Sequence, residues 1–409
     1  MSSAPQPPLV AHPWRLVLLM SVGQLVSWGT FYYGFSLFVE PMERELGWSR
    51  TDLTLALSGG LLVTGFSSVL VGGWIDRRGG FWPMTLGSLA GAALLVVWAV
   101  NDSLSVFFML WLGLGLVHSM TLYDPAFAVI TANLGGQYRL GITTMTLIAG
   151  FASTIFMPAT QVFIDWWGWR DTLLVLAGFN VLVGIFIHAL LLRGTKGSLT
   201  RTRTDDPAPR VPPPLSPLRL ALRQKVFWLL ALSLLSQSAA VTAVTFHIVP
   251  LLGERGLSTA LVLLAIALIG PAQVAGRLLL LVLGRRATTS VMGRITVLLL
   301  PVSLLALLLV DGETVWLYVF VLLYGAGNGL MTIVRGASVV EFLGAEGFGA
   351  VNGALSMPAT VARAMAPPLV ALLWDWQGDY TLAIWLLTGL GLLSAVAYWL
   401  AAAAAARPR

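Results

Sequence analysis

Residues 193–225 read RGTKGSLTRTRTDDPAPRVPPPLSPLRLALRQK, a polar stretch rich in arginine and proline within an otherwise almost continuously apolar chain. On both sides, hydrophobic runs recur with only short breaks between them, such as Asn101-Asp102-Ser103 and Asp311-Gly312-Glu313. The long break divides the 409 residues into two parts of similar length. The fold turns on what those parts are and on whether one repeats the other.

Of all residues 57% are hydrophobic and 10% are charged, where a soluble domain carries about 25% charge. Such a surface needs lipid as its solvent over much of the chain. There is no cysteine, which removes disulfides, thiolate metal sites and cysteine nucleophiles together. The net charge of +6 does not indicate nucleic acid, because the arginines lie in short loops between apolar runs. Met1 to Trp14 leads into a segment too long and too aromatic for a cleaved signal peptide, so a retained first span is expected.

A bilayer-crossing helix takes about 20 apolar residues. Runs of that kind lie at 16–40, 51–75, 81–100, 104–131, 141–166 and 171–193. After the break they lie at 226–251, 259–283, 288–310, 314–339, 349–374 and 381–402. The expected fold is an all-α polytopic membrane protein with 12 transmembrane helices. Of the 24 Lys and Arg, seventeen then face the cytoplasm, eight of them within 193–225, and four face outward: Arg44, Arg50, Arg170 and Arg255. That bias puts both termini and the break on the cytoplasmic side, and a bacterial-type inner membrane is the expected location. The remaining three, Arg277, Arg335 and Arg363, fall within spans.

The two parts match each other. Pro158-x6-Asp165-Trp166-Trp167-Gly168 returns 210 residues later as Pro368-x6-Asp375-Trp376-Gln377-Gly378. Pro41-x3-Glu45-x-Gly47-x-Ser49 returns after 209 residues as Pro250-x3-Glu254-x-Gly256-x-Ser258. Two matches at nearly one offset imply two pseudo-symmetric six-helix bundles related by an axis along the membrane normal. The domains expected are a bundle over 1–193, a cytoplasmic linker over 194–225 and a second bundle over 226–409.

Between the second and third spans stands Gly72-Gly73-Trp74-Ile75-Asp76-Arg77-Arg78-Gly79-Gly80. It resembles the signature of the major facilitator superfamily, G-x-x-x-D-R-x-G followed by a basic residue, except that Gly80-Phe81-Trp82 occupy the place of the base. The resemblance implies the major facilitator fold, transport by alternating access, and a conformational gate of Gly73, Asp76 and Arg77 that stabilises the outward-open state. The second-half counterpart keeps Arg285-Arg286 without an aspartate. Within the superfamily the chain resembles the monocarboxylate-transporter and oxalate/formate-antiporter group. That similarity is carried by Tyr33-Gly34, Leu46-Gly47-Trp48-Ser49-Arg50, Asp165 with Gly168-Trp169-Arg170, Gly276-Arg277 and Phe348-Gly349. It implies a small organic anion as substrate and protons as the coupling partner.

A charge inside lipid costs at least about 2.5–3.5 kcal/mol, so each one needs an explanation. Arg277, with Gln273 one turn before it, is a candidate carboxylate-binding cation or a structural pair. Arg363 ends the stripe Asn352, Ser356, Thr360, which lines a pore or joins helices. Arg335 ends a second stripe, Tyr324, Asn328, Thr332, near the inner side, where snorkelling or pairing with Glu341 accounts for it. Asp124 is a candidate proton site or a counter-charge to Arg335 or Arg363. His247 is a candidate proton acceptor, His118 a weaker one, and His188 and His12 read as interfacial. The superfamily resemblance implies that the first span faces the cavity, which makes Tyr32 and Tyr33, with Phe31 and Phe35, candidates for the apolar wall around a bound solute.

Four scattered histidines without acidic or thiol companions make no metal site, and no cofactor is expected. No zinc motif, nucleophile elbow or phosphate loop appears, which argues against an enzyme. A monomeric secondary transporter of a monocarboxylate-like anion, coupled to protons, is the expectation. The alternative is efflux of amphipathic compounds, which the aromatic first span would also suit.

Overall fold

The computed structural model describes residues 13–199, 216–283, 288–312 and 314–406. The core of the 194–225 linker, Arg285-Arg286, Glu313, His12, Arg407 and Arg409 lie outside the described residues. Ten continuous helical stretches are long and apolar enough to cross a membrane, and one of them, Leu104–Ala189, runs for 86 residues and contains three spans. The described residues therefore hold the twelve expected spans.

The first span runs Pro13–Trp28, passes through a π-helical turn at Gly29–Tyr33, and ends as Phe35–Leu46. The second is Arg50–Arg78 and the third Phe81–Ala99. The fourth is broken into Leu104–Thr121 and Tyr123–Leu134. Pro125 has no N–H to return to the carbonyl of Thr121, and the Gln24 amide donates to that carbonyl at 2.6 Å instead. The fifth comprises Tyr138–Ala149 and the first part of Ala152–Leu182, which bends at Gly168 into the sixth. After the short helix Pro217–Leu222 come the seventh, Lys225–Glu254, the eighth, Thr259–Leu283, and the ninth, Thr289–Leu308. The tenth is Val315–Leu343, the eleventh Phe348–Gln377 and the twelfth Thr381–Ala405.

The helix ends repeat as the sequence does. Left-handed glycines stop the chain at Gly47 and Gly256, at Gly135 and Gly344, and at Gly168 and Gly378, with φ between 55° and 98°. Each pair is separated by 209 or 210 residues, and only glycine adopts this backbone without strain. The carboxylates at the ends of the first and seventh spans repeat too. Glu45 accepts the Trp169 indole N–H at 2.6 Å and the Arg170 Nε–H at 2.8 Å. Glu254 accepts the Trp374 indole N–H at 2.5 Å and the Tyr380 backbone N–H at 3.0 Å.

By contact the chain separates into two compact units. The first is Met1–Pro217 with Ala345–Ala354, and the second is Leu218–Gly344 with Leu355–Arg409. The start of the eleventh span thus belongs with the first unit, a piece that a division of the sequence at 193–226 does not anticipate. Phe31, Phe35, Phe38, Trp98, Phe107 and Trp111 form much of the first unit's core. Leu300, Leu304, Leu307, Phe320, Ile384 and Leu387 serve the second.

Each unit also has a seam where glycines bring helix backbones together. In the first, a Cβ on Gly115 would fall 2.1 Å from the Gly60 carbonyl oxygen, so the second and fourth spans touch backbone to backbone. Thr64 closes that seam by donating to the Gly115 carbonyl at 2.9 Å. In the second unit, a Cβ on Gly325 would fall 2.8 Å from the Ile269 carbonyl oxygen and one on Gly329 2.4 Å from that of Gln273, so the tenth span touches the backbone of the eighth. Gln273 stands 209 residues after Thr64.

Candidate functional site

In the first unit the carboxylate expected of a gate is the most densely bonded candidate. Asp76 is 2% exposed. One oxygen accepts from the Gly349 N–H at 3.0 Å and from the Ser198 hydroxyl at 2.8 Å, and the other accepts from the Ala350 N–H at 2.9 Å. The Gly347 N–H donates in turn to the Ser198 oxygen at 3.1 Å. A negative charge thus sits on the N–H groups of the first turn of Phe348–Gln377, which have no partner within their own helix, and the helix dipole favours it there. Arg77 points back along its own helix, its Nε–H donating to the Gly73 carbonyl at 2.9 Å. Ser198 was not legible in the sequence, because it lies in the polar break where no periodicity assigns a partner.

Asp124 sits in the second piece of the fourth span and accepts from the Asn352 amide at 3.1 Å. Asn352 is therefore separated from the rest of its stripe, since Thr360 and Arg363 belong to the second unit. Tyr32 and Tyr33 join Trp28 and Tyr123 in an aromatic group. The Trp28 ring lies 5.2 Å from Tyr32, 6.0 Å from Tyr33 and 4.9 Å from Tyr123, between centroids. The π turn that displaces Gly29–Tyr33 from α geometry lies inside this group, and such turns are frequent at functional positions. His118 is buried, with Nε2 3.3 Å from the Phe31 carbonyl oxygen. His188 is not interfacial: it is fully buried, bonded to the Ser88 hydroxyl at 2.8 Å, because the third and sixth spans close over it.

In the second unit Arg277, Gln273 and Asn328 come together at the glycine seam. Arg277 is 5% exposed and its Nε–H donates to the Gly329 carbonyl at 3.2 Å. Gly329 follows Asn328 in the chain and packs on the Gln273 backbone. Arg363 donates to the Thr360 hydroxyl at 2.7 Å. Glu341 accepts from the Ser290 N–H at 3.3 Å.

His247 lies apart from this group. Its Nε2 is 3.0 Å from the Pro367 carbonyl oxygen and its Nδ1 is 2.9 Å from the Tyr380 hydroxyl. A carbonyl only accepts, so Nε2 carries the proton and the Tyr380 hydroxyl donates to Nδ1 when the ring is neutral. Tyr380 lies between the last two spans. Burial, then the charges of Glu254 and Asp375, hold its hydroxyl above the ordinary range and so keep it protonated as a donor. Tyr380 was legible only through the repeat, at 210 residues after Arg170. The first unit has a fixed cation there, and Phe38, 209 residues before His247, takes the place of the imidazole. Among the described residues no group of three His, Cys, Asp or Glu is placed to hold a metal ion.

The sequence profile described as Major Facilitator Superfamily matches residues 20–367. In fold, the chain is similar to the crystal structure of the human organic anion transporter MFSD10 (TETRAN). The two share 18% identity over 96% of this chain and 100% of that one, with a TM-score of 0.70. It is also similar to a crystal structure of the E. coli fucose:proton symporter FucP, at 14% identity over 95% of this chain and 97% of that one, with a TM-score of 0.70. No curated protein matches it by sequence.

Proposed function

Since the chain belongs to the Major Facilitator Superfamily, and is thus a multi-pass membrane transporter, we propose that it moves a small monocarboxylate-like anion together with protons. One observation carries this most directly. The spans of the second unit hold Arg277, Arg335 and Arg363, and the first of them is buried. Among the described residues, that unit's acids within its spans, Glu254, Glu341 and Asp375, stand at helix ends. Charges of one sign gathered in a low-dielectric interior are costly. An anionic solute offsets that cost on binding, which gives the scaffold a reason to keep the charges. That one similar fold is described as an organic anion transporter and another as a proton symporter accords with this assignment.

His247 suits the proton. Protonating Nδ1 requires only that the Tyr380 hydroxyl turn from donor to acceptor, while Nε2 keeps its bond to Pro367. The imidazole therefore gains and loses a proton without breaking its contacts. Efflux of amphipathic compounds is the second assignment, favoured by the aromatic group around Trp28 in the first unit.

The test is uptake of labelled lactate and related acids into proteoliposomes under an inward proton gradient. Arg363→Ala is expected to lower kcat/KM by about ten- to hundredfold, the worth of a charged hydrogen bond. His247→Phe is expected to flatten the dependence of uptake on pH. Unchanged uptake by Arg363→Ala and Arg277→Ala refutes the anion assignment. Resistance to lipophilic drugs without acid uptake establishes efflux instead.

A further inference from the structure

The seventh span contains an amide that the fold leaves unused. Gln237 is 4% exposed, and both its Nε2 and its Oε1 are buried without a hydrogen-bond partner. The hydroxyl of its neighbour Ser236, also fully buried, lacks a partner as well. Leaving such groups unmet costs about 1–3 kcal/mol each, so a long polar side chain at this depth needs a reason.

Its place on the helix suggests one. Gln237, Val241 and Thr245 are spaced by four and share a face. The Tyr324 hydroxyl of the tenth span meets the upper part of that face, donating to the Val241 carbonyl at 2.9 Å and lying 2.9 Å from the Thr245 hydroxyl. Tyr324 is also hydrogen-bonded to Asn328, one turn further along its own helix. A line of polar groups therefore follows the seam between the seventh and tenth spans, and every member but Gln237 has a partner in the fold. The same position is unmet in the other repeat. Trp28 and Ser27, 209 residues earlier, also have a buried indole N–H and a buried hydroxyl without partners.

We infer that Gln237 is a specificity residue that hydrogen-bonds a hydroxyl group of the transported solute, with Tyr324 and Asn328 beside it. A carboxamide presents one acceptor and two donors, and a hydroxyl both gives and takes a hydrogen bond. The substrate class is then a hydroxylated organic acid rather than a plain aliphatic one. The anionic half of that statement rests on the proposed function, and the hydroxyl half rests on Gln237. A site built around a substrate hydroxyl discriminates strongly against an analogue lacking it, because its own polar groups are then stranded.

Binding to the purified full chain is read as the ligand-dependent rise in melting temperature, with propionate, lactate, hexanoate, gluconate and mannitol as ligands. Wild type is expected to bind a hydroxylated acid at least about tenfold more tightly than its unsubstituted partner. Gln237→Leu and Gln237→Met are expected to bring that ratio close to one, chiefly through weaker binding of the hydroxylated acid. Equal affinities in wild type, or a preference that survives both variants as it would if trapped water met the amide, overturn the inference and leave the anion assignment standing. Binding of mannitol alone, lost in both variants, sinks the anion assignment and keeps the role of Gln237. If nothing binds, both fail. Each variant replaces an unpartnered amide by an apolar chain of similar size, so a melting temperature well below wild type in both also overturns the inference.

Discussion

Asp76→Ala is expected to lower the stability of the purified chain by about 2–5 kcal/mol, which places it among the most damaging single polar changes. The carboxylate accepts from two backbone N–H groups of one helix start and from the Ser198 hydroxyl, all within 3.0 Å. At 2% exposure, no water stands ready to replace it. Removing it strands Gly349 and Ala350 N–H groups at a helix terminus and deletes the charge that the dipole favours. Asp76→Asn keeps the shape but turns an amide NH2 toward one of those donors, so it should recover only part of the loss. Ser198→Ala removes one neutral donor and should cost about 1 kcal/mol. Thermal or denaturant unfolding of the three variants gives the order. An Asp76→Ala variant as stable as wild type means that the cap is not formed in the protein.

That cap marks a boundary between what residue pattern conveys and what it does not. Span number, the duplication and the likeness of Glu45 to Glu254 all follow from spacing, because lipid imposes a length on each helix and a repeat imposes an offset. The left-handed glycines confirm the offset at six positions, where backbone geometry tolerates no other residue without strain. Other features depend on contacts between distant segments and have no local sign. Nothing in the Asp76 motif indicates that its partners are Ser198 and the residues after Gly347. Nor does the stripe Asn352, Ser356, Thr360, Arg363 reveal that its first member bonds Asp124. The stripe has helical spacing over its whole length, but the units divide it after Ala354. Periodicity names the face of a helix and is silent on which neighbour covers each turn of it. Gln237 was missed for a related reason, since an amide amid Ser236 and Ser238 reads as ordinary polar packing until its lack of a partner is seen.

Gly329→Val is expected to be among the most damaging apolar changes, abolishing recovery of folded protein or costing several kcal/mol, beyond the usual range of about 1–3 kcal/mol for overpacking. A Cβ at this position would stand 2.4 Å from the Gln273 carbonyl oxygen and 2.9 Å from its carbonyl carbon. Those atoms are helix backbone and cannot rotate aside as a side chain would, so the eighth and tenth spans must separate. In lipid such spans are held together largely by close packing and interhelical hydrogen bonds, which makes their separation directly costly. The Arg277 Nε–H also bonds the carbonyl of Gly329 at 3.2 Å, so parting the seam moves a candidate binding cation with it. Even Gly329→Ala supplies the offending Cβ and should be clearly destabilised, with Arg277-dependent uptake falling in step. Gly389→Val is the matched control: it lies in the twelfth span with nothing within 4 Å of its added Cβ, and it should fold and transport like wild type. Were the two valine variants equally stable, the eighth and tenth spans could not be in backbone contact, and the setting of Arg277 would have to be rebuilt.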